Sequence, residues 1–257
     1  MKQTNKVNQQ QQNPQKGSRK DRPNNLIRVQ KFIASNSAFS RRKAEEMLEM
    51  GRIFINGEKI TKPGTLIDPL KDVVEINGKK IIPETKKIYL AMNKPAGYVT
   101  TRAHFAGEKS VMSLLSIKNV YPAGRLDKDT EGLLIFTNDG EFANKITHPR
   151  FEHDKEYIVH IDLPLTREKE SRIQNGIILD NKKTAPCVIK DIKKEPVSGF
   201  SLHIIIAEGR KRQIKRMFDY VGCSVIYLKR IRIGKIRLGN LKSGQVRSLT
   251  EEEINSI

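Results

Sequence analysis

The stretch GRLDKDTEGLLIFTNDG, residues 124–140, sets a carboxylate, Asp127, between Leu126 and a charged turn, two residues after Arg125. A carboxylate placed against apolar Leu126 and Leu133 is poorly solvated, so a cation must stand near it if it is to be ionised. The chain has cations in surplus. An ionised, desolvated Asp can act as a nucleophile or a general base. The same Asp-x-Asp-Thr spacing is also good turn chemistry, and spacing alone leaves both readings open.

Other chemistries are thinned by what the sequence lacks. It has no Gly-rich phosphate loop ending in Lys-Ser/Thr, no G-x-G-x-x-G after a strand, and no paired Cys or His at metal spacing. The histidines His104, His148, His153, His160 and His203 are scattered, and no Ser sits in a nucleophile elbow. Cys187 and Cys223 are the only cysteines, too few for a disulfide framework. No apolar run approaches the roughly 20 residues that span a bilayer, and the N-terminus has no apolar core of a signal peptide. A cytoplasmic protein is expected.

Charge points to a partner. Forty-eight Lys and Arg against 29 Asp and Glu give +19 and an isoelectric point near 9.9. The cations cluster: between Gly209 and Arg237 stand Arg210, Lys211, Arg212, Lys215, Arg216, Lys229, Arg230, Arg232, Lys235 and Arg237, with Asp219 the one acid among them. Such clustering favours a polyanion, nucleic acid above all.

The elements that must position these residues can be read from periodicity. Residues 1–25 are rich in Gln, Asn and Lys without apolar spacing, and read as a disordered basic tail. From Leu26, Val29, Phe32 and Ile33 follow helical spacing. Ser40 is placed to cap a second helix with Ala44, Met47 and Leu48 inward and Gly51 as its stop. RIFINGEKI and DVVEINGKKI read as Asn-Gly hairpins. Arg41, Arg42 and Lys43 crowd the first turn of the second helix, where the macrodipole prefers anions. Each misplaced charge costs a few tenths up to about 1 kcal/mol, a penalty that a bound phosphate reverses.

Beyond residue 86, KIYLAMNKPAGYVTT, GLLIFTN, KEYIVHIDL, CVIKDI and FSLHIIIAEG read as strands. Asn138, Asp139 and Gly140 lead into a short helix ended by Pro149. KRQIKRMFDYVG is an amphipathic helix with Ile214, Met217, Phe218 and Val221 inward and Gly222 as its stop. Strands interspersed with irregularly placed helices predict an α+β domain on a mainly antiparallel mixed sheet, preceded by a small α/β module. The expected boundaries are a tail at 1–25, a small module at 26–85 and a large domain at 86–257.

Two resemblances add to this reading. IRVQKFIASNSAFSRRKAEEMLEMGRIFINGEKI resembles the small RNA-binding domain named after ribosomal small-subunit protein four, which implies RNA binding but no chemistry. VYPAGRLDKDTEGLLIFTNDGEFANKITHPR resembles the catalytic signature of RNA pseudouridine synthases of the RsuA/RluB group. NKPAGYVTT, KEYIV, EGRKRQIKRMF and LKRIRIGKIRLGNL match that family in the expected order. The resemblance takes in nearly all of the chain except the tail.

For these positions the resemblance implies that Asp127 is the nucleophile, attacking the ribose or the base of a target uridine. The glycosidic bond then breaks, and the uracil turns and rejoins the sugar through carbon five, without cofactor or metal. Arg125 matches the residue that fills the space left by the flipped base, and Tyr157 the aromatic that packs on it. Lys215 matches the basic partner of the catalytic aspartate, a position where many relatives carry Arg; Lys keeps the charge but not the bidentate geometry. Leu228 matches an apolar residue on the pocket floor, although core packing explains it equally well. Arg28, Arg41, Arg42, Lys43, Arg210 and Arg212 are the expected contacts to RNA phosphate.

The resemblance thus implies a synthase most like the RluB branch, acting as a monomer on large-subunit ribosomal RNA or a pre-ribosomal particle, with no membrane partner. The alternatives are a synthase for small-subunit RNA and a non-catalytic ribosome-assembly factor. A glycosidase would need a second carboxylate across the scissile bond, and no residue nominates itself.

Overall fold

The computed structural model describes residues 26–257 apart from 38, 85, 104, 105 and 118, so the expected tail lies outside the described residues. The chain divides into two compact units: one takes in Phe39–Pro83 and the described residues up to Ala34, the other Ser35–Ser37 and Glu84–Ile257.

In the first unit, α1 (Val29–Asn36) and α2 (Arg41–Glu49) pack on a four-stranded antiparallel sheet. Its strands are β1 (Ile53–Ile55), β2 (Glu58–Ile60), β3 (Val74–Ile76) and β4 (Lys79–Lys80), in the order β2-β1-β3-β4. Ser40 caps α2, its Oγ accepting from Lys43 N at 3.1 Å. Ala44, Met47 and Leu48 then face Val29, Phe32, Ile33 and Ile53 in one apolar cluster. Both hairpins turn on Asn-Gly, with φ positive at Asn56, Gly57, Asn77 and Gly78, the twist that two-residue hairpins require. Arg28, Arg41 and Arg42 are exposed; Lys43 is exposed too, with its ammonium 2.7 Å from Glu46.

The second unit is α+β. Its main sheet runs through β5 (Tyr89–Lys94), β6 (Glu131–Thr137), β7 (Lys155–Ile161), β8 (Val188–Lys194), β9 (Phe200–Ile206), β10 (Val225–Ile233) and β11 (Val246–Ser248), in the order β8-β9-β7-β10-β6-β5-β11. Neighbours along this path are antiparallel except β6 and β10, which run parallel and meet only at Glu131↔Lys229 and Gly132↔Arg230. The two halves of the sheet are therefore joined through two register pairs. Alternation along the strands buries both faces. Leu134, Tyr157, Val159, Leu202 and Ile204 share a cluster with Ile214, Met217 and Phe218 of α5 (Gln213–Tyr220) and Ile173 of α4 (Arg167–Gln174). Ala91, Leu133 and Ile135 pack with Phe142 and Ile146 of α3 (Gly140–Thr147).

Asp139 caps α3 by accepting from Glu141 N and Phe142 N, and Pro149 follows its end. The short hairpin Ile178–Leu179/Lys182–Lys183 turns at Asp180 and Asn181, both at positive φ. Among the described residues no helix is long and apolar enough to cross a membrane. Cys187 and Cys223 are free and buried, and burial pushes the Cys187 thiol up to about 12.

Candidate active site

Asp127 lies in the loop that enters β6, and that loop is fastened from several sides. The Thr100 hydroxyl donates to Leu126 O at 2.8 Å and accepts from Leu126 N at 3.2 Å. Gly97 N donates to Lys128 O at 2.7 Å, and Thr130 N closes a turn onto Asp127 O at 3.1 Å. Beneath it, fully buried Lys94 donates to Pro95 O, Lys128 O and Thr130 O at 3.0, 3.2 and 2.8 Å. Burial pushes the Lys94 ammonium down to about 8, against the pull of Asp129, Glu131 and Asp127. Asp127 is thus a turn residue as well as a half-buried carboxylate. The turn fixes where its side chain projects.

It projects into a cleft of ≈ 670 Å³ beside the junction of the two half-sheets. One wall carries Arg125, Leu126 and Asp127; the sheet contributes Tyr157, Leu228 and Arg230; the segment Gly209–Gln213 closes the far side. Tyr157 and Leu228 are 7% and 5% exposed, so both belong to the core and show the cleft only an edge. Arg125 is exposed at its rim. Tyr157 stands opposite Ile204 on one side and Arg230 on the other.

The expected pairing of Lys215 with Asp127 is not formed. Lys215, on the inner face of α5, donates to Asp129, two residues farther along the loop. Asp129 also lies 3.7 Å from Arg212 Nη1. Burial opposes the charged form of Asp129, but Lys215 and Arg212 outweigh it and hold the carboxyl below its usual range. The reason for the exchange is the turn itself, which aims Asp127 at the cleft and Asp129 at α5. Among the described residues Asp127 has no ion pair within 4 Å.

Arg210, expected on phosphate, is engaged within the protein. Its guanidinium donates to Lys182 O and Lys183 O at 2.8 and 2.6 Å and to Glu208 at 3.2 Å, holding the short hairpin against the cleft wall. Arg212 is half exposed and carries a positive φ of 51°, a backbone conformation costly for a residue with a side chain. Among the described residues no group of three or more His, Cys, Asp or Glu side chains is arranged to hold a metal ion.

The Lys215–Asp129 pair is lopsided, and its two halves should differ on mutation. The Lys215 side chain is 10% exposed and that of Asp129 54%. Asp129→Ala strands a buried ammonium and should lower stability by about 1–3 kcal/mol. Lys215→Met leaves Asp129 with water and Arg212, and the flexible thioether fills the space, so less than about 1 kcal/mol should be lost. Urea denaturation of both variants checks the order; equal losses would mean that Lys215 answers to another partner.

Residues 88–220 match the family model described as RNA pseudouridylate synthase, and residues 27–74 the S4 domain. The chain is 38% identical over 235 residues to ribosomal large subunit pseudouridine synthase B of Bacillus subtilis, covering 90% of this chain and 96% of that protein. It is 35% identical over 239 residues to dual-specificity RNA pseudouridine synthase RluF of Escherichia coli, covering 90% and 78%. A crystal structure of a pseudouridylate synthase superposes with a TM-score of 0.64 at 29% identity, over 90% of this chain and 99% of that one.

Proposed function

The chain belongs to the RNA pseudouridylate synthase family, isomerases that act on RNA, and from that membership we propose that it converts a uridine of large-subunit ribosomal RNA to pseudouridine with Asp127 as the nucleophile. The observation that carries this reading is the placement of Asp127: a carboxylate on a loop clamped by Thr100, Gly97 and Lys94, facing a cleft whose sheet wall presents Tyr157. The reaction exchanges the N1–C1′ bond for a C5–C1′ bond. A proton leaves C5 and one is gained at N1, so no electrons enter or leave. What the protein must supply is a nucleophile held at the anomeric carbon and a surface that keeps the freed base in place.

Uridine in a duplex cannot reach such a cleft. It must be extruded at a cost of a few kcal/mol, and Arg125, exposed at the rim, is the residue proposed to occupy its place in the stack. Tyr157 packs on the extruded base, and Leu228 forms the floor. Lys211 and Arg212 on the cleft wall, with Arg28, Arg41, Arg42 and Lys43 on the small domain, are the proposed phosphate contacts. The ribosomal RNA substrate is supported by the name of the Bacillus subtilis relative, and the protein is proposed to act in the cytoplasm as a monomer.

Pseudouridine mapping of ribosomal RNA from cells with and without the gene tests the proposal. One large-subunit site is expected to disappear and to return with a plasmid copy. Loss of a small-subunit site instead would move the substrate, and an unchanged map would remove ribosomal RNA from the reading.

A further inference from the structure

Arg230, a charged side chain in the cleft, has no counter-ion among the described residues and no role so far. Arg230 is 4% exposed, in β10 between Tyr157 and Gly132. Its Nε donates to Leu133 O at 2.8 Å. Its Nη1 lies 3.5 Å from Tyr157 Oη, the limit of a hydrogen bond. Its Nη2 is buried and has no acceptor among the described residues. No carboxylate lies within 4 Å of the guanidinium among those residues, whereas Arg216, Arg232 and Arg247 each hold one closer than 3 Å. The next cation in the cleft, Lys155, is also turned inward, donating to His153 O and Ala207 O. Burial and the charge of Arg230 both depress the Lys155 ammonium.

A buried guanidinium without an anion is costly to keep, and an orphaned buried donor in a native fold calls for an explanation. Packing does not provide one: an apolar side chain would fill the space without a stranded charge. The position does. Arg230 lines the cleft and its guanidinium carbon lies over the Tyr157 ring, 6.0 Å from the centroid, so its charge acts on whatever packs against that ring.

We infer that Arg230 stabilises the departing base from the cleft wall, its uncompensated buried charge acting on the uracil packed on Tyr157. The inference rests on the proposed uridine isomerisation. As an Asp127 oxygen bonds to C1′, the N1–C1′ electron pair passes to the uracil, which becomes an anion delocalised onto its carbonyl oxygens. C5 then returns that pair to C1′ and displaces Asp127, C5 loses its proton, and N1 gains one. Negative charge on the base thus exists only between the two bond changes. A fixed buried cation stabilises that charge more than it stabilises neutral uridine, which is the condition for raising the rate.

The test uses the full-length protein, transcripts of the ribosomal RNA segment it modifies, and single-turnover rates at saturating RNA. Arg230→Met is expected to slow conversion on the order of 100-fold, with RNA affinity within about threefold of wild type. Arg230→Lys, which keeps a cation, should fall between the two. A second substrate separates charge stabilisation from folding. In a transcript carrying 5-fluorouridine the base leaves more readily as an anion, so glycosidic cleavage, followed by chromatography of nuclease digests, should depend less on Arg230. The gap between wild type and Arg230→Met should narrow at least tenfold. An unchanged rate for Arg230→Met, or the same gap on both transcripts, overturns the inference while a wild-type protein that makes pseudouridine keeps the proposed function. A wild type that makes none on any ribosomal transcript overturns both.

Discussion

Asp127→Asn is expected to abolish pseudouridine formation while leaving the fold and RNA affinity close to wild type. The amide keeps the shape of the side chain and loses the charge of the proposed nucleophile. Removing the nucleophile of an enzyme that forms a covalent intermediate lowers the rate on the order of 10⁴-fold or more. The structure makes the substitution a clean one. Asp127 has no ion pair among the described residues, and the bonds that clamp its loop run through backbone groups and the side chains of Thr100 and Lys94. None of them is lost with the carboxylate. Stability should therefore change by less than about 0.5 kcal/mol. The check is a single-turnover rate and an RNA titration on the same preparation. A variant that still forms pseudouridine at a rate near wild type would remove Asp127 as nucleophile.

That experiment also separates the enzyme from the alternative of a non-catalytic assembly factor. A protein that only binds RNA would rescue a deletion strain equally well with or without the Asp127→Asn change, because binding draws on the cations and not on the carboxylate. The cations in question sit on Lys211, Arg212 and the exposed face of the small domain. Their effect on affinity should scale with salt through counterion release. The carboxylate's effect on rate should not.

Much of the fold could be read from local patterns because local patterns decide it. Ser40 three residues before Lys43 is a cap, Asn-Gly between alternating apolar residues is a hairpin, and KEYIVHI alternates as a strand with Glu156 and Tyr157 on opposite faces. The elements that escaped are those whose signal is weak. The helix Arg167–Gln174 buries only Ile173, too little for an apolar stripe, and the hairpin at Asp180-Asn181 lacks the glycine that marks the others. In the site, the motif gave the wall of the cleft but not the ion pairs. Whether Lys215 meets Asp127 or Asp129 depends on the path of one turn against α5, and no spacing in the sequence encodes it. Nor does NKPAG announce that Lys94 is buried under the loop, or the basic run around Arg230 announce that this cation points inward.

Gly132→Ala is expected to unfold the second unit. Gly132 lies five residues after Asp127, where β6 touches β10, at φ +102°. A Cβ there would stand 2.1 Å from Arg230 O and 2.8 Å from Arg230 N, both backbone atoms of the neighbouring strand. Neither can move alone, since Gly132↔Arg230 is one of only two register pairs that join the half-sheets. The loss should exceed about 4 kcal/mol, a size that single substitutions rarely reach, against a total domain stability of about 5–15 kcal/mol. Gly239→Ala is the control: it also has positive φ, at +58°, but nothing lies within 4 Å of its added carbon, so it should cost only the left-handed strain of about 1–2 kcal/mol. Thermal unfolding of both variants decides it. A Gly132→Ala protein as stable as Gly239→Ala would mean that the strands do not approach so closely. If they do, this glycine serves the proposed chemistry by letting Asp127 and the Tyr157–Arg230 wall share one cleft, and the motif around Asp127 is as much a packing rule as a catalytic one.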